Sequence, residues 1–240
     1  MPANQTNTIT PANNITVAKF GGTSVADFEA MLRCADIIKK NTANRVVVVS
    51  ASAGVTNHLV RLSQADVPSE EREQIISNIA DIQYAITQHF TDFEAINSEI
   101  VTLLESLRIF TDQQASNHTM KTSDEILAFG EQFSSRIFAQ VLQTVGVNGH
   151  YFDVRQVMKT DNLFGKAQVD LTQLANNAQT LLLPLLSDKV IVTQGFIGSD
   201  QENNTTTLGR GGSDYSAALL AEALQANNLS IWTDVVGIFT

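Results

Sequence analysis

Residues 15–25 read ITVAKFGGTSV. Ile15 to Phe20 is an apolar run with strand character. After the glycines, Val25, Phe28, Leu32, Ala35 and Ile38 recur at spacings of three and four, which predicts a helix over 25–40. A strand, a glycine turn and a helix in that order open a βα unit. The loop carries a lysine ahead of paired glycines, then two hydroxyls. A P-loop, GxxxxGK[ST], places its lysine after the glycines, inside the helix N-terminus; Lys19 instead lies near the end of the strand. Gly21 and Gly22 let backbone N–H groups approach a phosphate with no Cβ in the way. The helix behind them would offer free N–H groups and a positive dipole end, and Lys19 a point charge. A plain turn capped by Ser24 explains the same residues equally well, so the stretch alone leaves two readings.

The remaining chain repeats the unit. RVVVVS (45–50) predicts a strand buried on both faces, as in a parallel sheet, and leads through ASAG to a helix from about Val55. PSEE (68–71) opens a long helix, a second runs over 92–110, and Thr122-x-x-Glu125 has the form of a capping box before a third that ends near Gly146. Strands follow at 149–154, 190–196 and 229–235. A helix over 170–186 is ended or bent by Pro184, and another begins at Ser213. The segment 197–212 reads as a polar, glycine-rich loop. Strands alternating with helices imply an α/β fold with a mainly parallel central sheet covered on both faces. Ligands then bind beyond the C-terminal strand ends, which gathers the loops at 20–25, 50–57, 195–213 and 234–240. Residues 1–14, polar with two prolines, are expected to be a disordered extension.

Composition narrows the function. The chain has 240 residues and a formal net charge of -10. That argues against general binding to nucleic acid or to an anionic membrane, which needs a basic face. No apolar run approaches the ~20 residues of a membrane span and no signal peptide opens the chain, so a cytoplasmic protein is expected. Cys34 is the single cysteine; in a helix it reads as packing. His58, His89, His118 and His150 are scattered and suggest neither a metal site nor a catalytic pair.

Two more loops carry chemistry. Ser50 to Asn57 offers hydroxyls at a strand end, although for Ser52 or Thr56 taken singly helix capping is the simpler reading. TTTLGRGGSD (205–214) is more informative: three glycines surround Arg210, whose fork can grip a carboxylate or phosphate, and Ser213 and Asp214 open the next helix. Glu131, after Gly130, sits among Leu127, Phe129 and Phe133; from composition alone it reads as part of a solvated helix face.

Taken in order, KFGGTSV, VVVVSASAGVTN, FGEQFSSRIFA, YFDVR, QGFIGS, TTTLGRGGSDYSAALLAEAL and IWTDVVGIFT strongly resemble the aspartate kinases of the amino-acid kinase superfamily, in particular the lysine-sensitive bacterial type. The resemblance runs from about residue 15 to the end, and implies one amino-acid kinase domain over 15–240 with the three-layer αβα sandwich of that family. It implies transfer of the γ-phosphate of ATP, carried with Mg²⁺, to the β-carboxylate of L-aspartate, giving 4-phospho-L-aspartate on the way to lysine, threonine and methionine. By the same resemblance Lys19 contacts the transferring phosphate and Asp214 orders the site. Arg210 clamps the substrate α-carboxylate, and Glu131 meets the α-ammonium, reversing its composition-only reading. Ser50, Thr56 and Ser213 surround the substrate. Phe20, Gly21 and Gly22 lie on the nucleotide side with Thr233, Asp234 and Phe239. No residue is assigned as a metal ligand, and a homo-oligomer is expected.

The family pattern WTDVPGIYT is altered here to WTDVVGIFT, with Val236 for proline and Phe239 for tyrosine, which removes a phenolic hydroxyl near the nucleotide. The family continues beyond this point into further nucleotide-binding residues and regulatory domains, so the chain reads as an incomplete portion whose own turnover is left open. Two other readings remain: a fragment that binds aspartate or a partner subunit without catalysis, and a kinase for another amino acid such as glutamate or acetylglutamate. Arg210 and Glu131 weigh against the last, because together they suit a free amino acid held by both α-groups.

Overall fold

In a computed structural model, residues 14–233 are described. Five strands form a parallel sheet in the order β3-β4-β2-β1-β7: β1 (Thr16–Phe20), β2 (Asn44–Val49), β3 (Gly149–Tyr151), β4 (Val190–Gln194) and β7 (Asn228–Trp232). β5 (Ile197–Ser199) and β6 (Thr205–Thr207) form a separate antiparallel hairpin. Val46 to Val49 are fully buried, as the unbroken β-branched run predicted. Each such side chain contributes about 1.5–3 kcal/mol relative to exposure.

Strand alternation divides the core. Ala18, Phe20, Val47 and Val49 face α1 (Phe28–Lys40), α2 (Val55–Leu62), α3 (Ser69–Thr87), α4 (Glu94–Ser116) and α5 (Met120–Thr144). Val17, Val46, Val48 and Ile191 face the other layer, built from α6 (Leu171–Asn177) and α7 (Gly212–Ala223). The result is three layers with a parallel sheet in the middle, as expected.

Several local expectations are corrected. α1 starts at Phe28, because the Asp27 carboxylate accepts from Ala30 N–H at 2.8 Å and caps it; a 3-10 turn, Gly22–Val25, begins at the second glycine and precedes it. α5 is capped by Thr119, whose hydroxyl accepts from Thr122 N–H at 3.0 Å, so the cap lies one turn earlier than Thr122. The stretch 170–186 is not one helix: α6 passes into a π turn and then a 3-10 turn containing Pro184, which cannot donate the next α-helical bond. The segment 197–212, expected to be loop, contains the β5–β6 hairpin. The predicted extension at 1–14 lies, but for Asn14, outside the described residues.

Candidate active site

The C-terminal ends of β1 and β2, the turn after β4 and the loop after β6 enclose a cavity of about 520 Å³. It is lined by Lys19, Ser50, Thr56, Glu131, Arg210, Ser213 and Asp214, together with Val60, Met120, Asp124, Leu127 and Phe196. All seven residues expected at the amino acid and the phosphoryl group therefore meet in one place. A second cavity of about 540 Å³ opens near Asn14, Thr42 and Arg45 and carries one charged side chain, Arg45; it has no comparable chemistry.

Lys19 reaches the cavity by alternation. It shares a strand face with Val17, so it points toward the α7 layer, and its Nζ lies 2.6 Å from Asp214 Oδ1 in the first turn of α7. Lys19 is nearly buried while Asp214 is about half exposed. The ion pair holds the ammonium at the strand end, where the β1 and α7 loops meet.

Glu131 arrives from the opposite layer. At Gly130 an added Cβ would stand 2.5 Å from Ala51 Cβ, so only glycine lets α5 press against the loop after β2. Ser134 ties the same surfaces, its hydroxyl donating to Ser50 C=O at 2.8 Å. Glu131 is thereby buried, at 6% exposure, instead of lying on a solvated face. Burial pushes its carboxyl up to about 8; a backbone hydrogen bond from Ala51 and the charge of Lys19 offset part of that effect. Among the described residues no cation forms an ion pair with this carboxyl, which leaves room for one brought by a ligand.

Arg210 is exposed and makes no ion pair among the described residues. Gly209 and Gly211 flank it with φ of 77° and 78°, the left-handed region where a Cβ is costly. Their turn places Arg210 on the cavity wall, two residues before the start of α7. Ser213 lies in that first turn.

The nucleotide-side expectations fall differently. Phe20 is fully buried and packs on Phe138, with ring centroids 5.8 Å apart, and its carbonyl accepts from Ser50 N–H at 3.1 Å. Gly21 N–H is engaged with Trp232 C=O at 3.2 Å. At Gly22 a Cβ would stand 2.7 Å from Ala51 C=O, so this glycine serves close packing of two loops. Phe20 and Thr233 border a smaller cavity of about 320 Å³ beside Trp232. Asp234 and Phe239 lie outside the described residues.

Sequence reasoning missed Phe196 and Asp124. Phe196 takes φ 70°, uncommon for a residue with a Cβ and costing about 1–2 kcal/mol. Its N–H donates to Ser216 Oγ at 2.9 Å and its C=O accepts from Leu208 N–H at 2.8 Å, pinning the turn after β4 to α7 and β6. Its place after Gly195 in QGFIGS was the available signal. Asp124 lies inside the Thr122-x-x-Glu125 stretch and carried no signal of its own; its burial depends on tertiary packing.

With this geometry the family can be assigned. A profile described as the amino acid kinase family matches residues 14–240. The chain belongs to the amino acid kinase family. It is 47% identical over 228 residues to the lysine-sensitive aspartokinase 3 of Escherichia coli K12, covering 95% of this chain and 51% of that protein. It is 34% identical to an aspartokinase of Chlamydia muridarum, covering 93% of this chain and 49% of that protein. Among solved structures, E. coli aspartokinase III in complex with aspartate and ADP superposes with a TM-score of 0.91 at 47% identity, over 93% of this chain and 50% of that one. An aspartate kinase of Clostridium acetobutylicum, at 22% identity and a TM-score of 0.75 over 93% of this chain and 48% of that one, shares the fold. This family member spans about half the length of the curated relatives it matches.

Proposed function

We propose that this chain forms the amino-acid and phosphoryl side of an ATP:L-aspartate 4-phosphotransferase. The observation that carries the reading is one cavity lined by buried Glu131, by Arg210 and by Lys19. The first two suit the ammonium and carboxylate of a free α-amino acid, and the third suits a phosphoryl group. The likeness to a protein solved with aspartate and ADP points the same way.

In this reading Arg210 grips the α-carboxylate through paired charge-assisted bonds, and Glu131, ionised as the ligand's ammonium arrives, holds the other α-group. Ser50, Thr56 and Ser213 supply hydroxyls around the substrate. With both α-groups held, the β-carboxylate is the free nucleophile. Its ordinary pKa is about 3.9, so it is ionised already and no general base is needed. A carboxylate oxygen forms the bond to the γ-phosphorus, the bond to the β,γ-bridging oxygen breaks, and ADP leaves with that electron pair. The problem is charge repulsion, so positioning and electrostatic stabilisation do the catalysis. Lys19 meets the transferring group, and Asp214 holds Lys19 in line.

The residues fit the phosphate chain of a nucleotide. At Gly21 an added Cβ would stand 3.8 Å from Lys19 Nζ, so glycine leaves the ammonium uncovered on that side. Gly22 and Thr233 continue this side toward the adenosine, where Asp234 and Phe239 are proposed to contribute. Among the described residues no three acidic, histidine or cysteine side chains converge on one point; Mg²⁺ is proposed to arrive on the nucleotide phosphates. Homo-oligomerisation and a cytoplasmic site of action belong to the same proposal. Among the described residues no helix is long and apolar enough to cross a membrane.

The test is aspartate-dependent formation of the hydroxamate from Mg-ATP, beside calorimetry with L-aspartate and with Mg-ATP. Turnover with L-aspartate and none with L-glutamate or N-acetylglutamate supports the reading. Binding of both ligands without turnover assigns the site but not the chemistry to this chain. Absence of L-aspartate binding overturns the assignment.

A further inference from the structure

Asp124 is fully buried in the wall of the cavity, and no cation pairs with it among the described residues. Burying a carboxylate without a counter-charge is costly unless hydrogen bonds replace the lost water. Here three do: Oδ2 accepts from Gly165 N–H at 2.9 Å and Thr207 N–H at 2.8 Å, and Oδ1 accepts from the Thr207 hydroxyl at 2.8 Å. Burial still pushes the carboxyl above its ordinary range.

These bonds join two chain segments at one point. Thr207 ends β6, three residues before Arg210. Gly165 belongs to the loop beneath that turn: a Cβ on Gly209 would stand 3.4 Å from its carbonyl, and Ala167 N–H donates to Thr207 C=O at 2.9 Å. Asp124 thus fixes the root of the arginine turn from below. Asp124 and Glu131 are seven residues apart on α5, which puts them on one face about 10 Å apart along the axis. One rigid helix therefore carries both the proposed ammonium partner and the anchor of the carboxylate clamp.

We propose that Asp124 is a positioning residue that sets the placement of Arg210 relative to Glu131, and so the selectivity for a ligand bearing an α-carboxylate. The inference rests on the proposed function above. The role is geometric: an asparagine at 124 can present its oxygen to the two N–H groups and its amide to the Thr207 hydroxyl, which rotates to accept. Charge at 124 is not what the Arg210 turn requires.

The experiment is calorimetry on the full 240-residue chain and its variants with L-aspartate and with β-alanine, which lacks the α-carboxylate. In D124A the affinity for L-aspartate falls about tenfold or more, β-alanine binding changes little, and the preference for L-aspartate collapses. D124N recovers most of that preference. T207V, which removes only the hydroxyl bond, shows the same ligand-dependent loss at about two- to threefold, and carries the test if D124A does not fold. Equal losses for both ligands in D124A or T207V overturn the inference, because the damage is then general. D124N as poor as D124A also overturns it, because charge is then what matters. If the unsubstituted chain binds no L-aspartate, the functional reading itself falls and takes this inference with it; if it binds and the substitutions leave selectivity intact, only the inference falls.

Discussion

Two glycine loops feed the same cavity, and only the second needs glycine for a positive φ. In Lys19–Ser24, Gly21 is extended with φ −74°, its N–H is engaged by Trp232, and Gly22 lies where a Cβ would strike the Ala51 carbonyl. The helix behind is closed by Asp27. In Leu208–Asp214, Gly211 has φ 78°, a Cβ there would meet nothing within 4 Å, and no side chain caps the first turn of α7. The first loop needs glycine for packing alone; the second needs it for packing at Gly212, where a Cβ would stand 2.9 Å from Phe196 Cδ2, and for positive φ at Gly209 and Gly211. The helix whose first turn lines the cavity, with its positive dipole end, is α7; no residue of α1 lines it. The 2.6 Å bridge from Lys19 to Asp214 joins the two.

The comparison implies a division of labour, and side-chain truncation is the strongest way to break it. Lys19→Ala is expected to lower kcat by about 10²–10³-fold, the scale for losing one donor to a developing charge, with L-aspartate affinity within a few-fold of the parent. Arg210→Ala is expected to raise KM for aspartate by about 10²-fold, as for a charge-assisted pair, and to leave KM for ATP nearly unchanged. Steady-state kinetics varying each substrate separates them. If the two variants exchange signatures, the loops have been assigned the wrong way round.

Glu131 sharpens the division through pH. Its carboxyl in the folded chain is pushed up to about 8, against an ordinary 4.5. Taking up an ammonium requires the ionised form, so aspartate affinity should rise about tenfold per pH unit from 6 toward 8 and level off above. Glu131→Gln should bind weakly with no such slope. Stability runs the other way. Between pH 4.5 and 8 the folded chain keeps a proton that the unfolded chain releases, so this residue's contribution falls as pH rises through that window. At pH 7 Glu131→Gln should therefore be more stable, by up to about 3 kcal/mol, measured by urea unfolding. A stable variant that binds poorly marks a group kept for function at a cost in stability.

Which of these features could be read in the sequence follows a physical pattern. The buried run at 46–49, the spacing 28-32-35-38 and the glycine-flanked arginine are local signals, and they placed the sheet, α1 and the second loop. Giving Glu131 a role needed the family resemblance and seeing it buried needed the structure, because its burial depends on Gly130 meeting Ala51 from another layer. Asp124 needed the structure, since its three donors lie 41 and 83 residues away in sequence. The β5–β6 hairpin was missed because two three-residue strands carry too little alternation to stand out from a polar loop. Phe196 was missed because a positive φ on a phenylalanine is imposed by its neighbours and opposes its own preference.

The two uses of glycine are separable by substitution. Gly22→Ala must move backbone, so it should cost about 1–3 kcal/mol in the manner of overpacking, a fall of roughly 2–4 °C in Tm per kcal/mol for a chain of this size. Gly211→Ala meets only the left-handed penalty, about 1–2 kcal/mol. Asparagine, which tolerates that region, should recover much of the loss at 211 and none at 22. Recovery at 22 would show that the first loop also needs conformational freedom.

The smallest effect tests the claim about helix ends most directly. Asp27→Ala removes the α1 cap and should cost about 1 kcal/mol of stability. If α1 supplied its dipole to a phosphate, deleting the competing carboxylate would tighten ATP binding. With the cavity served instead by α7, KM for ATP and kcat should stay within error of the parent while Tm drops by a few degrees. A lowered KM for ATP in Asp27→Ala would make α1 the anion-facing helix and favour the phosphate-loop reading of the first loop over that of a plain turn.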